Sequence, residues 1–363
     1  MRARFPWIVF CVSVLVSGCG ADAARGSSTP TAPTVNPPSA PSPPLDAASG
    51  CQTISKSGSY VLERDIGQPG TANSICLTVI ANDVTFDCAR HSINGYISIA
   101  TGASQISVLN CTMSGITKST DVSNVTVSNS LMSDKIVAMN SQGVTLDHDQ
   151  ITLTGRSLTA LVILEGGSRN QVISNRLDGG YYGHDLTGHG DDAPGADDGI
   201  LLSDETDDVV RDNTIQNVFD AGIEGVNAVS TTMISNNSIS NAIMAGVSSY
   251  WCTDWETNTV SENRVSESLS AVTITYATQP SCDQVPASAR RFAGNNILDN
   301  SLRAPLGEHP IGILISLASS GLAVSSNVVR GNDVGSAAIL LSPILGFSSS
   351  GGNTCGAGGN VTC

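Results

Sequence analysis

One short unit recurs along the chain: apolar, variable, apolar, variable, then Asn, then a second alternating run. Copies surround Asn110, Asn129, Asn175, Asn213, Asn237, Asn263, Asn296 and Asn327, and Asp149 takes the Asn place in one of them. Successive copies are 19, 20, 26, 38, 24, 26, 33 and 31 residues apart. A period of this size with insertions of variable length defines a solenoid. In a solenoid each unit buries its apolar face only by stacking on its neighbours. Alternation at period two makes the units strands, so the coils are β-coils. The fixed spacing of a leucine-rich repeat is absent, and a propeller blade would be longer and carry aromatic signatures.

Asn between two short strands tolerates the left-handed conformation that a sharp turn needs. Stacked coils would superimpose these amides, each bonding the next. Such an asparagine ladder, at the turn between the second and third strands of a coil, resembles that of the pectate-lyase-like superfamily. Residues 84–95, with Val84, Phe86 and Asp87 followed by Ile93, Asn94 and Gly95, resemble the opening coil of those proteins. The resemblance spans residues 80–345 and implies an all-β chain folded as a right-handed parallel β-helix. It also implies a polysaccharide groove along the first sheet, walled by loops.

Composition agrees with strands and turns: 4% aromatic and 13% charged residues, with 36 Gly. The net charge of −15 excludes nucleic acid as a partner, because phosphate binding needs Lys and Arg. It also opposes unaided binding of a polyanion unless a cation or a basic patch intervenes.

The N-terminus reads as an export signal. Arg2 and Arg4 precede a short apolar run from Phe5 to Val16, too short to span a bilayer. Val16-Ser17-Gly18-Cys19 resembles a bacterial lipobox, which implies cleavage before Cys19 and lipid on its thiol. The expected organisation is a signal peptide over 1–18, a Pro/Ser/Thr-rich tether over 19–50 and the β-helix over 51–363. The protein is then exported, monomeric and held at a membrane through its N-terminal lipid alone. Setting aside Cys11 and Cys19 leaves an even number of cysteines, which suits disulfides in an oxidising compartment. The expected pairs are Cys51–Cys76, Cys88–Cys111, Cys252–Cys282 and Cys355–Cys363. Cys88 follows Asp87 as Cys111 follows Asn110, so those two would stack one coil apart, at ~4.8 Å.

A further strand in each coil starts at Leu161, Ile200, Ile223, Val247, Val272 and Ile313. Its first and third residues should face the core and its second and fourth should face outward. Long insertions flank it over 180–198, 251–257, 277–290 and 303–310, so a groove should lie here. Glu165, Asp204 and Asn227 align just past this strand, and Glu224 points outward from its middle. Stacked carboxylates raise one another's pKa, which suits general acid/base work or a divalent cation. The loop from Tyr181 to Gly199 adds His184 and a run of Asp residues. The candidate catalytic groups are Asp204, Glu224, His184 and Asp198. Asp191, Asp192 and Asp197 are the candidate ligands for Ca²⁺. Gly188-His189-Gly190 and Asp197-Asp198 echo polygalacturonase motifs, in an order and spacing that do not match. Trp251, Trp255, Tyr250 and Tyr182 are candidates for stacking on sugar rings, and Arg291 for binding an acidic substrate. Two functions follow: a lyase, hydrolase or epimerase acting on an acidic polysaccharide, or a non-catalytic glycan-binding or adhesive surface protein.

Overall fold

The computed structural model describes residues 51–67, 74–153, 159–183, 195–249, 254–275, 291–308, 310–317, 323–342, 347–348, 352–361 and 363. Cys19, the signal and the tether lie outside the described residues. Every strand pair in the described chain is parallel, and no helix occurs among the described residues. The strands form three sheets of 15, 12 and 8 strands. A coil runs through the first sheet, the second and the third before rising to the next. The chain is a right-handed parallel β-helix.

Alternation within short strands builds the interior. Val84–Asp87 and Val162–Glu165 each bury their first and third residues and leave the second and fourth partly exposed. Parallel register then stacks like on like. In the first sheet Ile136, Val162, Ile200, Ile223, Val247 and Val272 form one continuous buried row. Phe86, Val108, Val127, Leu146 and Val172 do the same in the second sheet. Met113, Met132, Ile151, Leu177 and Ile215 do so in the third. Each fully buried aliphatic side chain contributes roughly 1.5–3 kcal/mol, so the rows are the main stabilising term.

The ladder is present, with its register shifted at both ends. From Asn175 onward each backbone N–H donates to the Oδ1 of the next coil's Asn: Asn175 to Asn213 at 2.9 Å, Asn213 to Asn237 at 3.0 Å and Asn237 to Asn263 at 3.0 Å. Each Nδ2 also donates back to a carbonyl of the coil below, as Asn237 does to Val210 at 3.1 Å. The column continues through Asn300, Asn332 and Asn353, and not through Asn296 or Asn327. Toward the N-terminus it runs through Asp149, Ser130 and Cys111, so Asn110 and Asn129 stand one residue early. Those two occupy the left-handed position, at φ 55° and 53°. The same position is held by Ser174, Asp212, Asn236 and Glu262 in later coils. The turn therefore divides its work between neighbours: one residue takes positive φ, and the next turns its amide inward.

Asn327 belongs to a second ladder, at the entrance to the second sheet. There Asn170, Asp208, Thr232, Asn258, Asn295 and Asn327 accept in succession from one backbone N–H to the next. Both ladders follow an apolar-variable-apolar strand. That is why a search on this pattern confuses them.

The first sheet has a corner. Ile200–Thr206 and Ala221–Ser230 bend at Asp204 and Asn227, whose φ values are 55° and 60°. Beyond the corner Asp254–Glu256, Arg291–Ala293 and Ala323–Ser325 continue as a second limb. Disulfides join Cys51 to Cys76, Cys88 to Cys111 and Cys355 to Cys363, with Cα separations of 4.2, 4.8 and 5.7 Å. The Cys252–Cys282 pair lies outside the described residues.

Candidate functional site

The turn from the third sheet into the first carries acidic residues in successive coils. Asp197 and Asp198 precede the strand Ile200–Thr206, and Asp220 precedes Ala221–Ser230. The coils are locked in phase here. The Asp220 backbone N–H donates to the Asp197 carbonyl at 2.7 Å, and the Ala221 N–H donates to Asp198 Oδ1 at 3.1 Å. Glu224 lies four residues after Asp220 on the outer face of the sheet, between Leu201 and Ser248 in neighbouring coils.

These carboxyls are poorly solvated. Asp198 is 5% exposed and Glu224 6%. Burial drives the Asp198 pKa well above the carboxylate range, and the Glu224 and Asp220 charges add to the shift. Glu224 is pushed up to about 7 by burial and by Asp220, while its hydrogen bond with Asp198 acts in the opposite sense. Asp220 is raised to about 6 by burial and the Asp197 charge. Burial and the neighbouring carboxyl charges both favour the protonated form of Asp198, which hydrogen-bonds Glu224, because two adjacent buried carboxyls resist ionising together. Among the described residues, no donor reaches Asp220 Oδ1, and Ser248 Oγ, one coil on from Glu224, has no partner. The cluster combines groups that exchange protons near neutrality with polar atoms that the protein leaves unsatisfied.

The structure thus brings together Asp198, Glu224 and Asp197 of the sequence-based candidates. Asp220 was missed. Its signal was positional: it repeats, one coil later, the place of Asp197 just ahead of the first-sheet strand. Asp204 is not in the cluster. It sits exposed at the corner, where its Oδ2 accepts from Asn227 Nδ2 at 3.0 Å, and it serves the turn. Glu165 pairs with Ser203, not Asp204, because Val162 and not Leu161 stacks on Ile200.

Trp255 is not at a groove rim. It is 1% exposed, and its strand directs it inward between Val229 and Phe292. A Cβ on Gly225 would lie 2.6 Å from the indole, so glycine there makes room for it. Alternation along Asp254–Glu256 accounts for this, with the middle residue facing the core. Tyr182 is 71% exposed, whereas Tyr181 is buried edge-on against Phe219. Arg291 lies on the second limb, beyond the corner, with Glu256 Oε1 at 3.6 Å. His184, Asp191, Asp192, Tyr250 and Trp251 lie outside the described residues. Among the described residues no three His, Cys, Asp or Glu side chains are grouped to hold a metal ion.

The chain shares its architecture with known proteins. Residues 108–284 match the family described as right handed beta helix region. Among solved structures, the periplasmic alginate epimerase AlgG superposes with a TM-score of 0.50 at 9% identity, over 84% of this chain and 75% of that one. The Streptococcus pneumoniae surface protein and adhesin PfbA gives 0.47 at 12% identity, over 84% and 87%. The Dettilon tailspike protein gives 0.44 at 14% identity; the match covers 84% of this chain and 59% of the tailspike chain. Likeness at these identities carries the fold and nothing finer. No curated protein matches by sequence.

Proposed function

We propose that the protein is an exported carbohydrate-active β-helix that hydrolyses a polysaccharide at the Asp198–Asp220–Glu224 cluster. The observation that carries this is the buried, hydrogen-bonded pair Asp198 and Glu224 beside Asp220 on the first sheet, where burial and neighbouring carboxyl charges raise all three pKa values. Glycoside hydrolysis needs one carboxyl that keeps its proton near neutral pH and a second that is ionised. Glu224, held near 7, suits the acid that protonates the departing glycosidic oxygen. Asp220, near 6 and lacking a donor on Oδ1, suits the base that activates water. Asp198 touches no substrate in this scheme and sets the protonation of Glu224.

Elimination or epimerisation of a uronate needs a cation to neutralise the substrate carboxylate. The residues around this cluster are acidic, so a bound divalent cation such as Ca²⁺, with Asp197 among its ligands, would have to supply that charge. The fold likeness to an alginate epimerase supports a carbohydrate substrate class. Three disulfides support export, and the lipobox-like Cys19 supports a membrane tether. A Cys19→Ser variant should leave the membrane fraction.

The test is incubation with pectin, alginate, glycosaminoglycan and neutral glycan panels, reading reducing ends and unsaturated products separately. Reducing ends should appear, and kcat should fall as pH rises through about 7. Glu224→Gln and Asp220→Asn should each lower kcat at least ~100-fold with melting temperature unchanged. Unsaturated product would replace hydrolysis with elimination. Glycan binding without turnover would sink the enzyme and leave a binding or adhesive protein.

A further inference from the structure

The outer face of the second sheet carries a different surface in its N-terminal coils. Thr85, Ser107, Thr126, Thr145 and Gln171 stack there in register, one outward rung per coil. They line a concave groove of about 650 Å³, flanked by Gln105, Asn124 and Gln142. Four intervals of ~4.8 Å make the row about 19 Å long. Its charged members are Asp83 and Arg169, in the first and last coils of the row.

Among the described residues none of the five rung side chains has a hydrogen-bond partner, although each hydroxyl or amide both donates and accepts. Other outward polar side chains do pair between coils, such as Ser230 with Thr206 and Asn236 with Asp212. The polar row also has an end. The same outward row continues with Val209 and Met233, which close it off.

We propose that this groove is a second glycan-binding surface, for a neutral polysaccharide lying along the helix axis. The chemistry of the lining selects the occupant. Sugar hydroxyls donate and accept as the rungs do, and a chain of pyranoses repeats at close to the coil spacing. One Arg balanced by one Asp gives no attraction for a polyanion, on a chain whose net charge of −15 repels one. The lining carries no aromatic or large apolar side chain to anchor a protein partner. Backbone groups of these strands are spent within the parallel sheet, which excludes an added peptide strand.

The test is calorimetric titration of the full chain with cello-, xylo-, manno- and malto-oligosaccharides of increasing length, with alginate oligosaccharides as the acidic comparison. At least one neutral series should bind, more tightly with length and without dependence on salt. Thr126→Val/Thr145→Val keeps β-branched shape and removes two hydroxyls, so it should fold and bind at least tenfold more weakly. Thr259→Val, on the same outward row beyond Met233, should bind as the parent does. Failure of every neutral series, binding confined to alginate, unchanged binding by the double variant, or equal weakening by Thr259→Val would each overturn the proposal. Loss of turnover at Glu224 bears on the first sheet alone, so the two proposals fail separately.

Discussion

Asp149 occupies a place that Asn fills in coil after coil, and a carboxylate cannot do all of the amide's work. Its Oδ1 accepts from Ser130 N–H at 2.8 Å, as a ladder Asn does. Its Oδ2 stands where an Asn would present Nδ2 to a carbonyl, and it is buried without a partner. Burial raises the Asp149 pKa to about 7, above its ordinary value of 3.8. The folded state thus holds a proton that the unfolded chain releases. The associated stability is complete below about pH 4 and is lost as pH rises to about 7, by an amount on the order of a few kcal/mol. Asp149→Asn restores the second donor, which by the ladder pattern meets the Val127 carbonyl. Urea midpoints of parent and variant should coincide most closely near pH 4 and diverge toward pH 8, with the variant the more stable. A constant difference across that range would refute the proton's role. Asp208 repeats the substitution in the second ladder, where Glu205 beside it helps raise its pKa to about 9. Neither raised pKa was legible in the sequence: the repeat placed Asp149 in the Asn position without showing that its second oxygen is buried unpartnered, and Asp208 looks like an ordinary solvated Asp.

At the scale of the turn, adjacent asparagines carry different loads. Asn237 is fully buried and joins three coils: its Oδ1 takes both Asn213 donors, and its Nδ2 reaches Val210 and Asn263. Asn236 is exposed and contributes mainly its tolerance of φ 52°. Asn237→Ala leaves the Asn213 N–H and the Val210 carbonyl buried without partners, at a cost of roughly 3 kcal/mol or more. Asn236→Gly keeps the left-handed turn open and should change stability by less than about 1 kcal/mol. Chemical denaturation of the two single variants checks this, and equal effects would mean the ladder is not the stabilising feature. The repeat disclosed that the turn exists, since alternation and Asn are both local signals. It did not disclose which of two neighbouring positions points inward. The coils at Asn110, Asn129 and Asn327 were misaligned because a positive-φ Asn, a second-ladder Asn and a first-ladder Asn look alike in one dimension, and Asn296 only begins the strand that follows second-ladder Asn295. Trp255 was misassigned for the related reason that a three-residue strand gives too little alternation to fix its inward face.

Across the whole molecule, coils touch only their neighbours, so stability is a sum of coil and interface terms and unfolding starts where a coil has one neighbour. The disulfides follow that weakness. Cys51–Cys76 and Cys88–Cys111 staple the first described coils, and Cys355–Cys363 closes the last. Cys111 also accepts no amide from below; its N–H meets Ser130 Oγ, so a covalent link begins the column that asparagines continue. The carboxyl cluster follows from the same one-dimensional order. Asp198, Asp220 and Glu224 meet because successive coils superimpose, and Asp220 escaped notice because only a correct coil register places it beside Asp197. Reduction should therefore act locally. Hydrogen exchange with and without a reducing agent should show lost protection in residues 51–113 and 352–363, while the strands between Asn175 and Asn263 keep theirs. Those inner coils hold the carboxyl cluster, so any turnover at Glu224 should survive reduction at ambient temperature. Uniform loss of protection along the chain would instead show that the end staples hold the entire stack, and that its coils unfold as one unit.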